Sequence, residues 1–161
     1  MTSQTSGGNR ITWYWEDFRE GEVREFGNTT VKQEDIVRFA SEFDPQPFHV
    51  DEAAAAKTMY GGLIASGWHT ASMAMRMMCD AYLLHSASLG SPGIESLQWL
   101  MPVRPGDTLR LRLSVLEARP LKSKPGVGLV KSRHEMLNQH DEVVMRMEGY
   151  GMFGQRPAAS S

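Results

Sequence analysis

The hydrophobic period of this chain changes at "GSPG", residues 90–93. From Ile36 up to it, apolar residues recur at helical spacing; after it, they alternate. That switch limits the fold to few solutions. Ile36, Phe39, Ala40 and Phe43 stand at i, i+3, i+4 and i+7, one face of a short helix that Pro45 ends. Asp51–Met59, with Ala53–Ala56, reads as a second short helix that Gly61-Gly62 breaks. A long helix is expected from Leu63 or Ala65 to Leu84, apolar on most faces and therefore mostly buried.

Beyond residue 93, Ile94, Ser96, Gln98 and Leu100 alternate with Glu95, Leu97, Trp99 and Met101. Leu109, Leu111, Leu113 and Val115 alternate with Arg110, Arg112 and Ser114, a half-buried strand. Gly126–Leu137 and Val143–Phe153 follow as strands, and Glu22–Val31 supplies a fifth. Short turns predict antiparallel meander connections. The sum is an α+β domain, a long helix wrapped by about five antiparallel strands.

The 161 residues suit one domain, expected over 10–155 between a disordered start (1–9) and a disordered tail (156–161). A formal charge of −2 gives no footprint for nucleic acid or an anionic membrane. Arg104, Arg110, Arg112, Lys122, Lys124 and Lys131 read as solvated surface charge, with a rim for a phosphorylated ligand as the other reading. The single cysteine, Cys79, cannot form an internal disulfide and sits in an apolar run, so a packed thiol in a reducing compartment is expected. The start lacks an apolar signal segment, and the run Gly61–Leu84 carries His69, Arg76 and Asp80. A cytoplasmic protein without a membrane span is expected.

"FDPQPFHVD", residues 43–51, holds Asp44 and His49 apart with two prolines and Phe48. The prolines fix their own φ and restrict the residues before them, so the loop loses little entropy on ordering. Two readings stay open on these residues alone. The stretch is a rigid helix stop, or it aims a carboxylate and an imidazole at one water and manages its proton. Imidazole suits either proton role near neutral pH. No nucleophile elbow accompanies the pair, and no metal-ligand spacing does either, so no metal is expected.

"YGGLIASGWHT", residues 60–70, is the second candidate. A glycine pair ahead of a buried helix offers bare N–H groups near the positive end, suited to a carbonyl oxygen gaining charge. The plain alternative is a helix-breaking turn. His69, on an apolar helix, reads first as a hydrogen-bonded core residue.

"DPQPFH" resembles the hydratase signature D-x-N-P-x-H of the MaoC-like dehydratases, the (R)-specific enoyl-CoA hydratases. "YGGLIASGWHTASMAMR" resembles the start of that family's central helix, and "QWLMPVRPGDTLRLRLSVLEARP" the strand–turn–strand after it. The resemblance covers roughly residues 11–155. It implies a hot-dog fold, a homodimer, and reversible addition of water across the 2,3 double bond of an enoyl-CoA in fatty acid metabolism. No cofactor is implied beyond the CoA of the substrate. Asp44 and His49 match the pair that holds the catalytic water, and Gly61, with Gly62 adjacent, matches the glycine whose N–H polarises the thioester carbonyl. Phe48, Trp68 and His69 become acyl-pocket candidates, and the bulk of Trp68-His69 with Met73, Met75, Met77 and Met78 favours a short or branched acyl group.

The chain departs from the pattern at Gln46, where Asn is usual, at Tyr60, where the prototype has His, and at His69, where some members have Ser. Two other outcomes remain open on the fold alone: an acyl-CoA thioesterase, for which Glu52 or Asp80 would supply the carboxylate, and a non-catalytic acyl-CoA-binding domain.

Overall fold

The computed structural model describes Gly8 and residues 10–159. Of the expected disordered ends, residues 1–7, 9, 160 and 161 lie outside the described residues.

Five strands form one antiparallel sheet: β1 (Val23–Thr30), β2 (Ile94–Trp99), β3 (Thr108–Pro120), β4 (Val127–Leu137) and β5 (Val143–Gly154), in the order β1-β3-β4-β5-β2. The expected meander therefore holds only for β3–β5. The other two strands flank it, β1 on β3 and β2 on β5. The alternation in β3 has its expected consequence. Leu109, Leu111, Leu113 and Val115 are buried, while Arg110 and Arg112 face out and pair with Glu25 of β1. Lys131 pairs with Glu95 in the same way, so these three bases already have acidic partners on the outer face.

The helices are α1 (Gln33–Phe43), α2 (Pro47–Val50), α3 (Glu52–Ala56) and α4 (Gly67–Ala81). Asp44 closes α1, its N–H donating to the Ala40 carbonyl at 2.8 Å. The stretch after it is not only a loop: Pro47 opens α2, where its missing N–H costs nothing. Asp51 caps α3 by accepting from the Ala54 N–H at 3.0 Å.

The long helix starts later than its apolar pattern suggests. Residues 63–66 are extended, with the Ile64 N–H on Phe48 O and the Ala65 N–H on Val103 O. Ser66 is the N-cap of α4. The helix buries Thr70, Ala74, Met77 and Met78 against the core face of the sheet, where Leu111, Leu113, Val115, Met136 and Met145 meet them. It is not mostly buried: Trp68 is 59% exposed and Met75 48%. Cys79 is half-buried and free. Among the described residues no helix is long and apolar enough to cross a membrane.

Candidate active site

The end of α1, helix α2 and the start of α4 converge on one open cleft of about 460 Å³. Asp44, Gln46, Phe48 and His49 line it from one side, Gly67, Trp68 and Thr70 from α4, and Trp99, Leu100 and Met101 from the end of β2 and the turn after it.

Asp44 is held at both oxygens. Gln46 Nε2 donates to Oδ1 at 2.7 Å, and Ser66 Oγ donates to Oδ2 at 2.7 Å. His49 Nε2 lies 3.2 Å from the same Oδ2. Burial raises the Asp44 pKa, but the hydrogen bonds from Gln46 and Ser66 and the His49 charge outweigh it and hold the carboxyl below its usual range. Gln46, one methylene longer than the asparagine it replaces in the signature, still reaches Asp44 with its amide.

His49 is 4% exposed, and its Nδ1 lies 2.7 Å from the Ile64 carbonyl oxygen. A carbonyl only accepts, so Nδ1 carries a hydrogen and Nε2 is the nitrogen whose proton can come and go. A neutral ring would set the Nε2 lone pair against a carboxylate oxygen, so a proton of water or substrate, or one on the ring, belongs between them.

Gly67 was not among the expected site residues. It is the first residue of α4, where the N–H has no intrahelical acceptor. The next three N–H groups are used: Trp68 donates to Ser66 Oγ, and His69 and Thr70 donate to Ser66 O. The Gly67 N–H has no partner among the described residues and stands in the cleft wall with Asp44 and His49. Trp99 Nε1 donates to Gly67 O at 2.9 Å, and a Cβ on Gly67 would come within 2.3 Å of the Trp99 ring. Only glycine allows that approach.

Gly61 and Gly62 are not among the residues that line the cleft, although Tyr60 and Ile64 on either side of them are. Gly61 has φ +69°, and its N–H donates to Thr58 O at 3.0 Å. Five residues separate it from α4, because 63–66 are extended rather than helical. A free N–H near the positive end of the helix is present, but at Gly67. The apolar pattern alone places the helix start before Ser66 and Gly67; the signal for the true start is a serine N-cap followed by glycine.

Phe48, Trp68 and Tyr60 line the cleft. His69 does not. Its ring stacks on Phe39 of α1 at a centroid distance of 4.8 Å, away from the cleft. Its buried Nδ1 has no partner among the described residues, and burial pushes its pKa down. Glu52 and Asp80, the carboxylates a thioesterase would need, are also elsewhere: Glu52 accepts from Gln33, and Asp80 pairs with Arg76.

Fold and site together define a hot-dog domain with a paired carboxylate and imidazole at the N-terminus of its central helix. Residues 17–136 match the MaoC-like domain, and the chain belongs to that family. It is 30% identical over 122 residues to an (R)-specific enoyl-CoA hydratase of Rhodospirillum rubrum, covering 73% of this chain and 79% of that one. It is 31% identical over 112 residues to an uncharacterized protein, YdeM, of Bacillus subtilis, covering 70% and 79%. The crystal structure of a MaoC-like dehydratase from R. rubrum superposes with a TM-score of 0.84 at 40% identity, over 91% of this chain and all of that one.

Proposed function

We propose that this protein is a hydro-lyase that adds water reversibly to a 2-enoyl-CoA and gives an (R)-3-hydroxyacyl-CoA. The observation that carries the reading is the approach of His49 Nε2 to Asp44 Oδ2, 3.2 Å, in a cleft also lined by Gly67, whose N–H has no partner among the described residues. The CoA thioester and the (R) configuration come from the family resemblance and the similarity to the named hydratase.

Water held between Asp44 and His49 loses a proton to the pair as its oxygen bonds to C3. Electrons of the double bond move toward C2 and the thioester carbonyl, whose oxygen gains charge. The Gly67 N–H, at the positive end of α4, stabilises that charge. The pair then returns a proton to C2 on the same side, so the net addition is one water. Gln46 and Ser66 keep Asp44 ionised, and the Ile64 carbonyl keeps the His49 ring turned with Nε2 to the cleft. No cofactor beyond the CoA of the substrate enters this chemistry.

The acyl chain leaves the site past Trp68, into an apolar cavity between α4 and the sheet that Trp68 also lines. A second copy of the chain covers the open side of the cleft. Strand β2 is a sheet edge, and Ile94, Trp99, Leu100 and Met101 along and just beyond it are exposed, an apolar edge of the kind a homodimer buries.

The test is loss of enoyl-thioester absorbance from crotonyl-CoA and longer homologues, with free thiol followed in parallel. Hydration without thiol release supports the reading. Thiol release without hydration at every chain length overturns it in favour of a thioesterase.

A further inference from the structure

The cavity beyond Trp68, about 420 Å³, is walled by Ala71, Met75 and Met78 of α4 and by Leu97, Val130 and Phe153 of the sheet. Such walls suit a hydrocarbon chain. Of the polar side chains that interrupt them, Ser88, Ser91 and Tyr150 stand at more exposed positions, and three are buried: Tyr82, Ser132 and His134. Ser132 and His134 are two residues apart on β4 and so point to the same face, inward.

These three residues are buried, and two of them carry polar atoms with no hydrogen bond among the described residues. Tyr82 Oη and His134 Nε2 are 2.9 Å apart, the one side-chain hydrogen bond His134 makes among the described residues. Ser132 Oγ makes none among them. Both residues are less than a tenth exposed. A serine hydroxyl and an imidazole Nδ1 that bond nothing else among the described residues, on residues that line the cavity, are free to bond what enters it.

Two glycines of β5 stand beside them, at positions where a larger residue would not fit. Gly149 of β5 pairs with Ser132, and Gly151 pairs with Val130. A Cβ at Gly151 would come within 2.9 Å of the Phe153 ring, and one at Gly149 within 3.1 Å of Gly93 O. Among the described residues no Lys, Arg, Asp or Glu lines the cavity. A carboxylate there would lack a counter-charge, whereas a hydroxyl can both donate and accept, which matches Ser132 Oγ and the open nitrogen of His134.

We propose that Ser132 and His134 bind a hydroxyl carried on the acyl chain distal to the thioester, so that the preferred substrates are hydroxylated enoyl-CoAs. The proposal rests on the acyl-CoA reading above and names its substrate class. It also departs from the expectation of a short acyl group, which drew on His69; that residue stacks on Phe39 and leaves the cavity to a longer chain.

The experiment is calorimetric titration of the full chain with saturated acyl-CoAs, which cannot be hydrated, at six, eight, ten and twelve carbons. Each length is offered unsubstituted, with a terminal hydroxyl and with a terminal carboxyl. At one length or more, the hydroxylated ligand is expected to bind about tenfold more tightly than its parent, the worth of one or two buried hydrogen bonds. Ser132→Ala, a mild change checked for folding by circular dichroism, is expected to remove most of that preference. Equal or weaker binding of the hydroxylated ligand at every length overturns the proposal and leaves water as the occupant of the polar wall. A preference that survives in Ser132→Ala, or a stronger one for the carboxyl-ended chain, overturns it too. Hydration of crotonyl-CoA alongside equal binding of each pair would leave the hydratase reading intact and remove this one alone; no binding of any acyl-CoA and no hydration would remove both.

Discussion

Ser66 Oγ donates to Asp44 Oδ2 at 2.7 Å, on the carboxylate oxygen that also faces His49 Nε2. The same hydroxyl oxygen accepts from the Trp68 N–H at the head of α4. One side chain thus ties the candidate base to the helix end that presents Gly67. In Ser66→Ala, Asp44 loses a bond that favours its ionised form, so its pKa rises. If Asp44 works as a carboxylate, the acid limb of the pH profile of kcat/KM moves to higher pH. Loss of the cap also costs about 1 kcal/mol of stability. An acid limb that stays in place would separate Ser66 from the acid–base pair.

Asp44→Asn and His49→Ala each remove a proton-handling group. Hydration in either variant is expected to fall by about 10²–10⁴-fold. Matching circular dichroism of the variants and wild type would assign the loss to chemistry. Near wild-type turnover in either variant would refute the assigned role.

Two glycines separate the pattern of the sequence from the geometry of the site. In Gly67→Ala the new methyl meets the Trp99 ring, so the helix end or the ring must shift. Overpacking of this kind costs about 1–3 kcal/mol, and hydration falls because the N–H moves with the helix end. In Gly61→Ala the added methyl has open space but the residue stays at φ +69°, a strain of roughly 1–2 kcal/mol. Its melting temperature drops while kcat/KM per folded molecule holds. A reversed pattern, with activity lost at Gly61 and kept at Gly67, would return the carbonyl-binding role to the glycine pair.

His134 makes stability depend on pH. Burial pushes its pKa down to about 4, against 6.5 for a free imidazole. Between those values the unfolded chain binds a proton that the folded chain does not. Stability from this residue is therefore complete above about pH 6.5 and is lost as pH falls toward 4, on the order of 3 kcal/mol in all. Thermal melts from pH 7 to 4 check this, with His134→Gln expected to flatten the fall. A wild-type melting temperature that is level across the range would place His134 in contact with solvent.

Much of the design was legible in the chain itself, for local reasons. Period-two alternation in Leu109–Val115 is a property of neighbouring residues, and β3 buries those side chains as the alternation requires. The stretch 43–51 is rigid by covalent geometry, since Pro45 and Pro47 constrain their own φ and their predecessors, and this aims Asp44 and His49 at one point. Its likeness to a hydratase signature led to the family to which the chain belongs.

The rest depended on distant contacts. An apolar run does not say where a helix begins. The hydrogen bonds from Ile64 to Phe48 and from Ala65 to Val103 hold 63–66 outside the helix, so α4 begins at Gly67, a residue that lines the cleft. His69 had the spacing to face the cleft or the core; stacking on Phe39, thirty residues away, decided for the core. Strand order was likewise decided by pairing at long range, β2 on β5 rather than beside β3. Sequence determined which groups are present and how each short stretch bends. Tertiary structure decided which of them share a cavity, because that choice is made by hydrogen bonds and packing between residues far apart in the chain.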